Sequence, residues 1–365
     1  MNFWRQLKKP IIGLSPMDGV TDAPFRYIVA KYSKPDVILT EFINVHGIHY
    51  GAEKLFVDFL YHEIERPIVA QIYGKEPEYF YTAAQVACEL GFDGVDINMG
   101  CPAKNVASSG SGAALIKTPD LAREIVLMTK KGVTDFLEKG FNPDSAKLKR
   151  KVEETKNKLS ELGVNFGDKN KQIPVSIKTR IGYDSDITEE WIGNLLKVSP
   201  DAITLHGRTL KQLYGGSANW GSIARAVELI KRNNLETGQE TIVLGNGDIS
   251  SRNEALTRIT ESKADGALVG RAVFGNPMFF KGENLNNKIE AFKIALEHSY
   301  LQEKVKGKDS FVQMRKHLAW YVKGFAGAAS LRASLVRTSS AEEVKQILTE
   351  ELNNSEGIDN SILTE

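Results

Sequence analysis

The chain has 365 residues, of which 42% are hydrophobic and 25% are charged, and its formal net charge is +1. This balance is typical of a globular protein with a substantial core, and the length suits one large barrel with an additional piece. No stretch approaches the run of about 20 apolar residues that a membrane span needs, so we expect no membrane association. Two cysteines are too few for a disulfide framework, and they predict a reducing, cytoplasmic location.

Eight short β-branched runs recur along the chain, and each is followed by a helical pattern. The runs are almost continuously apolar rather than alternating, as expected for parallel strands that are covered on both faces. They span residues 11–16, 36–42, 67–74, 94–100, 174–181, 202–208, 241–247 and 266–271. Eight successive β–α units predict an α/β protein with a (β/α)8 TIM barrel. The alternative is a doubly wound open sheet, which is disfavoured because such sheets more often stop at five or six strands.

Capping residues mark where several of the helices begin. Thr118 and Pro119 are typical of a helix start, and Gly132 is a candidate for the end of that helix. Ser251 with Glu254 three residues later predicts a capping box at the start of another helix.

The connection between the fourth and fifth strands is unusually long. Residues 142–163 predict an additional helix that is capped by Asn142, started by Pro143 and ended by Gly163. Its apolar residues form only a narrow stripe, so we interpret the insertion, about residues 133–172, as a solvated helix lying against the barrel wall. RNA contact is disfavoured because its lysines are interleaved with glutamates.

The β–α alternation stops after about residue 281. Residues 285–306 and 309–348 predict helices without any strand signal. We therefore predict three regions, a barrel over residues 1–281, an all-α domain over 282–348 and a disordered tail over 349–365.

The C-terminal helical domain is basic. Eight lysines and arginines lie between Lys304 and Arg337, where Asp309 is the single acid, so this stretch carries about +7 and the rest of the chain about −6. Such a concentration of positive charge predicts a polyanionic partner.

Polar or ionisable residues stand at nearly every predicted strand end. In a TIM barrel the C-terminal strand ends build the active site, and these groups would be costly in a packed interior. They are Met17, Asp18, Glu41, Gln71, Asn98, Cys101, Lys178, Arg180, His206, Arg208, Asn246, Asp248, Gly270 and Arg271. The pattern predicts a functional site. Since no metal-ligand spacing appears, we expect no metal.

The last two strands end in glycine-containing loops, Gly245-Asn246-Gly247-Asp248 and Gly270-Arg271. Barrels commonly hold a phosphate at this place, where glycines let backbone N–H groups approach an anion. The alternative is that both are tight turns that need glycine for backbone reasons alone.

Lys178 and Cys101 each allow two chemical interpretations. Lys178 either forms a Schiff base or places a positive charge beside a flavin ring, with Gln71 at the ring edge. Cys101, in a bend set by Gly100 and Pro102, is either a nucleophile with His206 as its base or a proton donor that stays protonated. His206 equally suits a structural role, and Cys88 is interpreted as an inert buried thiol.

At this point the sequence resembles the tRNA-dihydrouridine synthase family, most closely its bacterial B-type branch. The similarity spans about residues 10–340, apart from the long connection near 130–172. The matching stretches, of which Asn98–Pro102 is the most specific, are Ser15–Asp22, Gln71–Gly74, Asp96–Pro102, Lys178–Arg180, His206–Arg208, Gly245–Asp248 and Gly270-Arg271.

The resemblance implies a role for each of these residues. FMN is expected to lie against Pro16, Met17, Asp18, Gln71, Lys178, His206, Asn246, Gly247, Asp248, Gly270 and Arg271. Cys101 is implied as the general acid, and Asn98, Arg180 and Arg208 as contacts of the uracil base. NADPH is expected to reduce the flavin, which passes a hydride to C6 of uracil while Cys101 protonates C5. The base must leave the tRNA fold to reach the barrel mouth.

The basic domain is then expected to bind tRNA in a salt-dependent way through Arg315, Lys316, Lys323, Arg332 and Arg337. We expect a monomer. Three rival functions remain on the sequence alone: a flavin barrel acting on a small molecule, such as a dihydroorotate dehydrogenase or an ene-reductase; a Schiff-base lyase that uses Lys178; and a non-catalytic RNA-binding module.

Overall fold

Nine parallel strand segments form the centre of the structure, a computed structural model that describes residues 2–166, 172–213 and 215–353. They are β1 Ile11–Leu14, β2 Ile38–Leu39, β3 Ile43–Asn44, β4 Ile68–Tyr73, β5 Gly94–Met99, β6 Val175–Arg180, β7 Ala202–His206, β8 Ile242–Asn246 and β9 Gly266–Val269. Apart from partly exposed residues at strand ends and Lys178, the strand residues are buried. The sequence predicts this burial, since parallel strands are covered on both faces.

The sheet closes on itself as an eight-position barrel. β1 pairs with β2 and with β9, β2 pairs with β4, and each strand from β4 to β8 pairs with the next one along the chain, so the ring is closed. The short segment β3 pairs with the upper half of β4, where Ile43 lies opposite Ile72. Within the second predicted strand, 36–42, only Ile38–Leu39 is a strand, and β3 at Ile43–Asn44 lies beyond the predicted end. The predicted TIM barrel is confirmed, and an open sheet is excluded by the pairing of β1 with β9.

The two ends of the barrel differ in character. Around the strand starts, Phe3 and Trp4 pack in one apolar cluster with Ile11, Ala202 and Ile242. This end is filled by hydrophobic side chains, whereas the polar residues stand at the strand ends on the opposite side. The contrast places a site at the C-terminal rim of the barrel, as the fold requires.

Thirteen α-helices occur in the described ranges. They are α1 Ala23–Tyr32, α2 Val45–His49, α3 Pro77–Glu89, α4 Lys104–Ser108, α5 Pro119–Lys139, α6 Ala146–Glu161, α7 Thr188–Leu196, α8 Trp220–Thr237, α9 Arg252–Ser262, α10 Lys288–Lys306, α11 Met314–Tyr321, α12 Ala328–Leu335 and α13 Ala341–Asn353. Ser251 caps α9 by accepting a hydrogen bond from the Glu254 N–H, as predicted. No helix in these ranges is long and apolar enough to cross a membrane.

The prediction that Gly132 ends its helix is wrong. Helix α5 continues through Gly132 and ends at Lys139, where it is capped by Gly140 with a positive φ of 69°. Gly132 instead marks a close helix contact, because a Cβ there would lie 2.4 Å from the Tyr81 carbonyl oxygen on α3. Glycine in a helix interior is then favoured by packing although it weakens the helix itself.

The inserted helix α6 starts later than its sequence predicts. Its N-cap is Ser145, whose side chain accepts a hydrogen bond from the Leu148 N–H, and not Asn142. Leu148, Val152 and Leu159 are buried, and Lys156 forms an ion pair of 2.6 Å with Glu89 on α3. The helix therefore lies against the barrel with one apolar stripe, while its other faces are charged. Part of the predicted insertion, residues 167–171, lies outside the described residues.

Contacts divide the chain into two compact units, residues 1–18 with 35–270, and residues 19–34 with the chain from Arg271 onward. The second unit is helical and contains α1 as well as α10 to α13, because Ile28 of α1 packs in the same apolar core as Phe292, Met314 and Leu335. Of the tail predicted to be disordered, residues through Asn353 belong to α13, and residues 354–365 lie outside the described part of the chain.

Candidate active site

The strand register brings the predicted site residues into rows at the C-terminal rim. Gln71 lies opposite Asp96 and Asp96 opposite Ser176, while Asn98 lies opposite Lys178. Arg180, His206 and Asn246 form a second row across the next strands. Residues that are far apart in the sequence therefore become neighbours solely because the strands are parallel and in register.

A hydrogen-bond relay connects the first row to the cysteine loop. The Gln71 amide donates to Asp96 Oδ2 at 2.7 Å, and the Asn98 amide donates to Gln71 Oε1 at 2.9 Å. Asn98 Oδ1 in turn accepts hydrogen bonds from the backbone N–H groups of Gly100 and Cys101, at 3.0 and 2.8 Å. The relay fixes the bend that carries Cys101. Asn98 and Gln71 therefore hold the protein backbone in place, whereas their predicted role is direct contact with a ligand.

Asp96 is the anchor of this relay, although it is not among the site residues predicted from the strand ends. Burial raises the pKa of its carboxyl to about 6, although hydrogen bonds from Ser176 and Gln71 and the charge of Lys178 act in the opposite direction. Ser176 Oγ donates to Asp96 Oδ1 at 2.7 Å. The available signal was an acid in the middle of an apolar strand, where an unpaired charge is too costly to occur without partners.

Cys101 is a shielded thiol. It is 7% exposed, and burial raises the pKa of its thiol; the nearby charge of Asp18 acts in the same direction, whereas an N–H hydrogen bond from Ala103 and the charges of Arg180 and Lys178 lower it. The thiol therefore stays protonated at neutral pH, which suits a proton donor better than a nucleophile.

Arg180 holds the same loop from the other side. Its Nε donates to the Gly100 carbonyl at 2.6 Å and one terminal nitrogen donates to the Thr209 carbonyl at 3.2 Å. With 5% exposure, the guanidinium is a structural neighbour of the thiol as well as a source of positive charge near it.

Lys178, a partly exposed residue, places its amine among these groups. Burial and, to a smaller extent, the charge of Arg180 lower its pKa to about 8, against the opposing charges of Asp96 and Cys101. Lys178 Nζ lies 3.2 Å from Asn246 Oδ1, and the Asn246 amide donates to the Leu268 carbonyl at 2.8 Å. Asn246 therefore orients the lysine.

The loops after β8 and β9 form a glycine-lined cradle. At Gly247, where φ is 125°, a Cβ would lie 2.6 Å from Ala218 Cβ and 3.0 Å from the His206 ring. At Gly270 a Cβ would lie 3.2 Å from the sulfur of Met17. A side chain at position 247 would clash with Ala218 and His206, and one at position 270 would press on Met17, so these neighbours pack directly against the glycine backbone.

The buried Arg208 forms an ion pair with the partly exposed Asp248 beside the cradle. Arg208 donates to Asp248 Oδ2 and to the Gly216 carbonyl, both at 2.6 Å, and its side chain is 4% exposed. Asp248 also accepts the Ala218 N–H at 2.7 Å. The guanidinium therefore braces the loop after β7.

The remaining predicted ligand contacts differ in accessibility. Pro16, Met17 and His206 are partly exposed, Asp18 is exposed and Gln71 is fully buried. Arg271 is exposed and is the first residue of the helical unit. Within the described ranges, no group of three or more His, Cys, Asp or Glu residues is placed to hold a metal ion.

The five predicted tRNA contacts in the helical unit fall into two groups. Arg315 donates to the Thr338 carbonyl at 2.9 Å, and Arg332 donates to the Val322 carbonyl at 2.8 Å, so both brace the helices. Lys323 and Arg337 are exposed, and Lys316 is partly exposed. The structure therefore distinguishes cations that hold the fold from cations that face solvent.

One further basic residue of the positive stretch has a structural role. Lys306 donates to Asp22 Oδ2 at 2.9 Å, and its side chain is only 10% exposed. Asp22 also caps α1 by accepting the Phe25 N–H. The exposed positive charge of the helical unit is thus smaller than the sequence count indicates.

Comparison with known proteins places the chain among sequence relatives that cover nearly its whole length. A "Probable tRNA-dihydrouridine synthase" of Staphylococcus aureus (strain MRSA252) is 31% identical over 362 residues, 96% of this chain and 95% of the relative. A "Probable tRNA-dihydrouridine synthase 2" of Bacillus subtilis (strain 168) is 32% identical over 353 residues, 95% of each chain.

Solved structures with a similar fold include the DHODH of Eimeria tenella in complex with ferulenol, with a TM-score of 0.48, 15% identity and coverage of 77% of this chain and 81% of that one. They also include an old yellow enzyme homologue of Zymomonas mobilis, with a TM-score of 0.42, 12% identity and coverage of 73% and 86%. The sequence model described as "Dihydrouridine synthase (Dus)" matches residues 13–166 and 163–356. With almost the whole chain matched, this protein belongs to the dihydrouridine synthase family.

Proposed function

We propose that this protein reduces uridines in tRNA to 5,6-dihydrouridine, using FMN as its prosthetic group and NADPH as its reductant. The observation that carries the proposal, beyond family membership, is the geometry around Cys101. A thiol whose pKa is raised by burial stands at the barrel rim beside Lys178 and a glycine-lined cradle. Saturating the C5–C6 bond of uracil needs one hydride and one proton, and such a thiol is a suitable proton source.

The residues present fit a flavin mononucleotide. His206 packs against Gly247 and Met17 against Gly270, and glycine loops after the last two strands are where TIM barrels commonly hold a phosphate. Pro16 and Met17 would support the ring, and Lys178 would lie at its polar edge. Asp18, Asn246, Asp248 and Arg271 complete the proposed set. Bound and reduced, FMN would supply the hydride for C6 of uracil.

The relay residues are assigned to positioning within this proposal. Gln71 is fully buried with its amide engaged by Asp96 and Asn98. We therefore propose that Gln71 and Asn98 act on the reaction chiefly by fixing the cysteine loop. Arg180 contributes positive charge close to the base, whereas Arg208 holds Asp248 in place.

Proton delivery then depends on groups of the chain itself. The Asn98 side chain holds the Cys101 N–H, and Arg180 holds the preceding carbonyl, so the thiol is kept at one position. The bend leaves the thiol shielded from water, which keeps its proton available for C5 of a base that enters the mouth. Closure by the base itself would exclude the remaining solvent.

A Schiff-base lyase is the second candidate function, and one observation favours it. The pKa of Lys178 is lowered to about 8, which increases the fraction of neutral amine at physiological pH. The free thiols at Cys88 and Cys101 support a reducing, cytoplasmic environment for either function. We further propose that the protein acts as a monomer.

The proposed activity is tested directly with the purified, flavin-loaded protein. Incubated with NADPH and unmodified tRNA transcript, it is expected to consume NADPH and to form dihydrouridine at defined positions, measured by mass spectrometry of nuclease digests. A protein that cannot be loaded with FMN, or that oxidises NADPH without altering any tRNA, would contradict the proposal.

The helical unit is proposed to supply the tRNA phosphate contacts through its exposed cations. Replacing Lys323 and Arg337 together with glutamate is expected to weaken tRNA binding and to reduce the slope of log K against log salt by about 1.4 to 1.8. Flavin content should not change. Arg315→Glu serves as the contrast: it leaves the Thr338 carbonyl without its donor, so it should lower the free energy of unfolding by about 1 to 2 kcal/mol. Unaltered affinity of the double variant across a salt series would place the tRNA contacts elsewhere.

A further inference from the structure

A group of aromatic side chains lies on the C-terminal rim of the barrel, outside the site described above. Helix α2 begins directly after β3, and α3 begins at Pro77, shortly after β4. Both helix starts are therefore on the side where the strands end. Tyr79, in the first turn of α3, meets His49 and Tyr50 from the end of α2.

His49 and Tyr79 are stacked and partly exposed, whereas the Tyr50 ring contacts both of them edge-on, with interplanar angles of 84° and 74°. The His49 and Tyr79 ring centroids are 4.3 Å apart at an interplanar angle of 28°, and the Tyr50 and Tyr79 hydroxyls are 3.1 Å apart. Tyr50 is 52% exposed. A prearranged, exposed aromatic stack offers a π-face to a planar partner at little conformational cost.

Positive charge borders this stack on the side of the inserted helix. A Cβ at Gly51 would lie 3.3 Å from the Leu148 nitrogen and 3.4 Å from Lys147 Cγ, so α6 begins beside Tyr50. Lys147, Lys149 and Arg150 are exposed near the start of α6, where the helix dipole disfavours cations. Glu154 lies 3.6 Å from Arg150, and the charge of Glu53 acts on Lys147, Arg150 and Lys151. The four cations Lys147, Lys149, Arg150 and Lys151 outnumber these two acids, so the surface remains favourable for an anion.

The same surface is continuous with the cysteine loop on its other side. The Lys75 side chain packs over Gly110, since a Cβ there would lie 3.6 Å from Lys75 Cδ. Gly110 belongs to the segment that follows Cys101. We call the surface formed by Lys75, Tyr79, His49, Tyr50, Lys147 and Arg150 the rim strip.

We propose that the rim strip binds unpaired nucleotides of the tRNA that flank the target uridine. This inference rests on the proposed function. Reaching a uracil inside a barrel requires that it be splayed from its neighbours, and aromatic platforms bordered by cations bind single-stranded nucleic acid by stacking and phosphate contact. A flanking base stacks on Tyr50 while its phosphates lie against the start of α6. The long insertion thereby acquires a role in substrate binding.

Two kinds of variant test the proposal in the flavin-loaded protein. Tyr50→Leu keeps an apolar side chain but removes the ring, and is expected to raise the dissociation constant for tRNA about 5- to 100-fold, whereas Tyr50→Trp retains most of the affinity. Lys147→Gln with Arg150→Gln is expected to lower the slope of log K against log salt by about 1.4. FMN content and the rate of NADPH oxidation should match the wild type in every variant.

The matched control neutralises two exposed cations away from the strip, Lys158 at the far end of α6 and Arg232 on α8. Wild-type affinity and salt slope in both Tyr50→Leu and the Lys147/Arg150 variant would overturn the inference. An equal loss of affinity in the control pair would also overturn it, because the effect would then come from nonspecific charge. So would an equal loss in Tyr50→Trp, which would indicate a structural role for the tyrosine hydroxyl. Failure of the proposed function is distinguishable, because the wild-type protein itself would then form no dihydrouridine.

Discussion

The Cys101→Ala variant is expected to retain bound flavin and tRNA affinity while its rate of dihydrouridine formation falls by about 10²- to 10⁴-fold, the usual contribution of a positioned general acid. The variant removes the proton source without removing the relay, because Asn98 Oδ1 binds the backbone N–H of residue 101 and not its side chain. The loop therefore keeps its conformation. Single-turnover reduction of tRNA by the prereduced protein, with product quantified by mass spectrometry, is the appropriate measurement.

The pH dependence of the wild-type reaction provides an independent check. Burial raises the pKa of the Cys101 thiol above its ordinary value, so the protonated form is available throughout the neutral range. A general acid loses activity as pH rises through its pKa, and the rate should therefore decline only in the alkaline range. A nucleophilic thiolate would show the opposite trend, with a rate that increases toward alkaline pH.

Cys88→Ala is the matched control for the cysteine prediction. Cys88 lies in α3, and burial raises the pKa of its thiol to about 12, so it has no accessible proton chemistry at neutral pH. Its replacement should leave turnover unchanged. Wild-type rates in Cys101→Ala, or a comparable loss in Cys88→Ala, would remove Cys101 from the mechanism.

Much of the barrel was predictable from the sequence because its strands are short, apolar and separated by helices that carry their own start signals. The strand ends were predictable for the same reason, since the fold dictates which end carries chemistry. Asp96 was not selected because its importance depends on register: only pairing across β4, β5 and β6 shows that it faces Gln71 and Ser176. Register is a property of several strands together, and no single strand encodes it.

The errors have a common physical origin in competition between local and tertiary signals. Asn142 and Ser145 are both good caps, and the buried Leu148 stripe against the barrel decides in favour of the second. Gly132 has the local signature of a helix end, yet close packing of α3 against α5 accounts for it. The tRNA contacts, in contrast, stay a prediction that rests on charge, and the folded helices add that Arg315 and Arg332 also bind backbone carbonyls.

The Lys178→Met variant is expected to slow NADPH oxidation by the flavin-loaded protein about 10²- to 10³-fold, the range found when one preorganised electrostatic contact is removed from an active site. Methionine approximates the length of the lysine stem, so the apolar packing around β6 is preserved while the charge is lost. Lys178→Arg is the matched variant, because an arginine remains charged at all relevant pH values. It should recover part of the activity.

The reaction rate is expected to change with pH in opposite directions for the two candidate functions, because each uses a different protonation state of Lys178. Its pKa is lowered to about 8, so a reaction that uses the cationic form declines as pH rises through about 8, and Lys178→Arg should extend activity to higher pH. A Schiff-base lyase requires the neutral amine, and its rate would instead increase through the same range. Trapping of a carbonyl substrate on Lys178 by borohydride, together with complete inactivity of Lys178→Arg, would favour the lyase. A decline above pH 8 that the arginine variant abolishes is the result expected for a charge that acts on a bound cofactor.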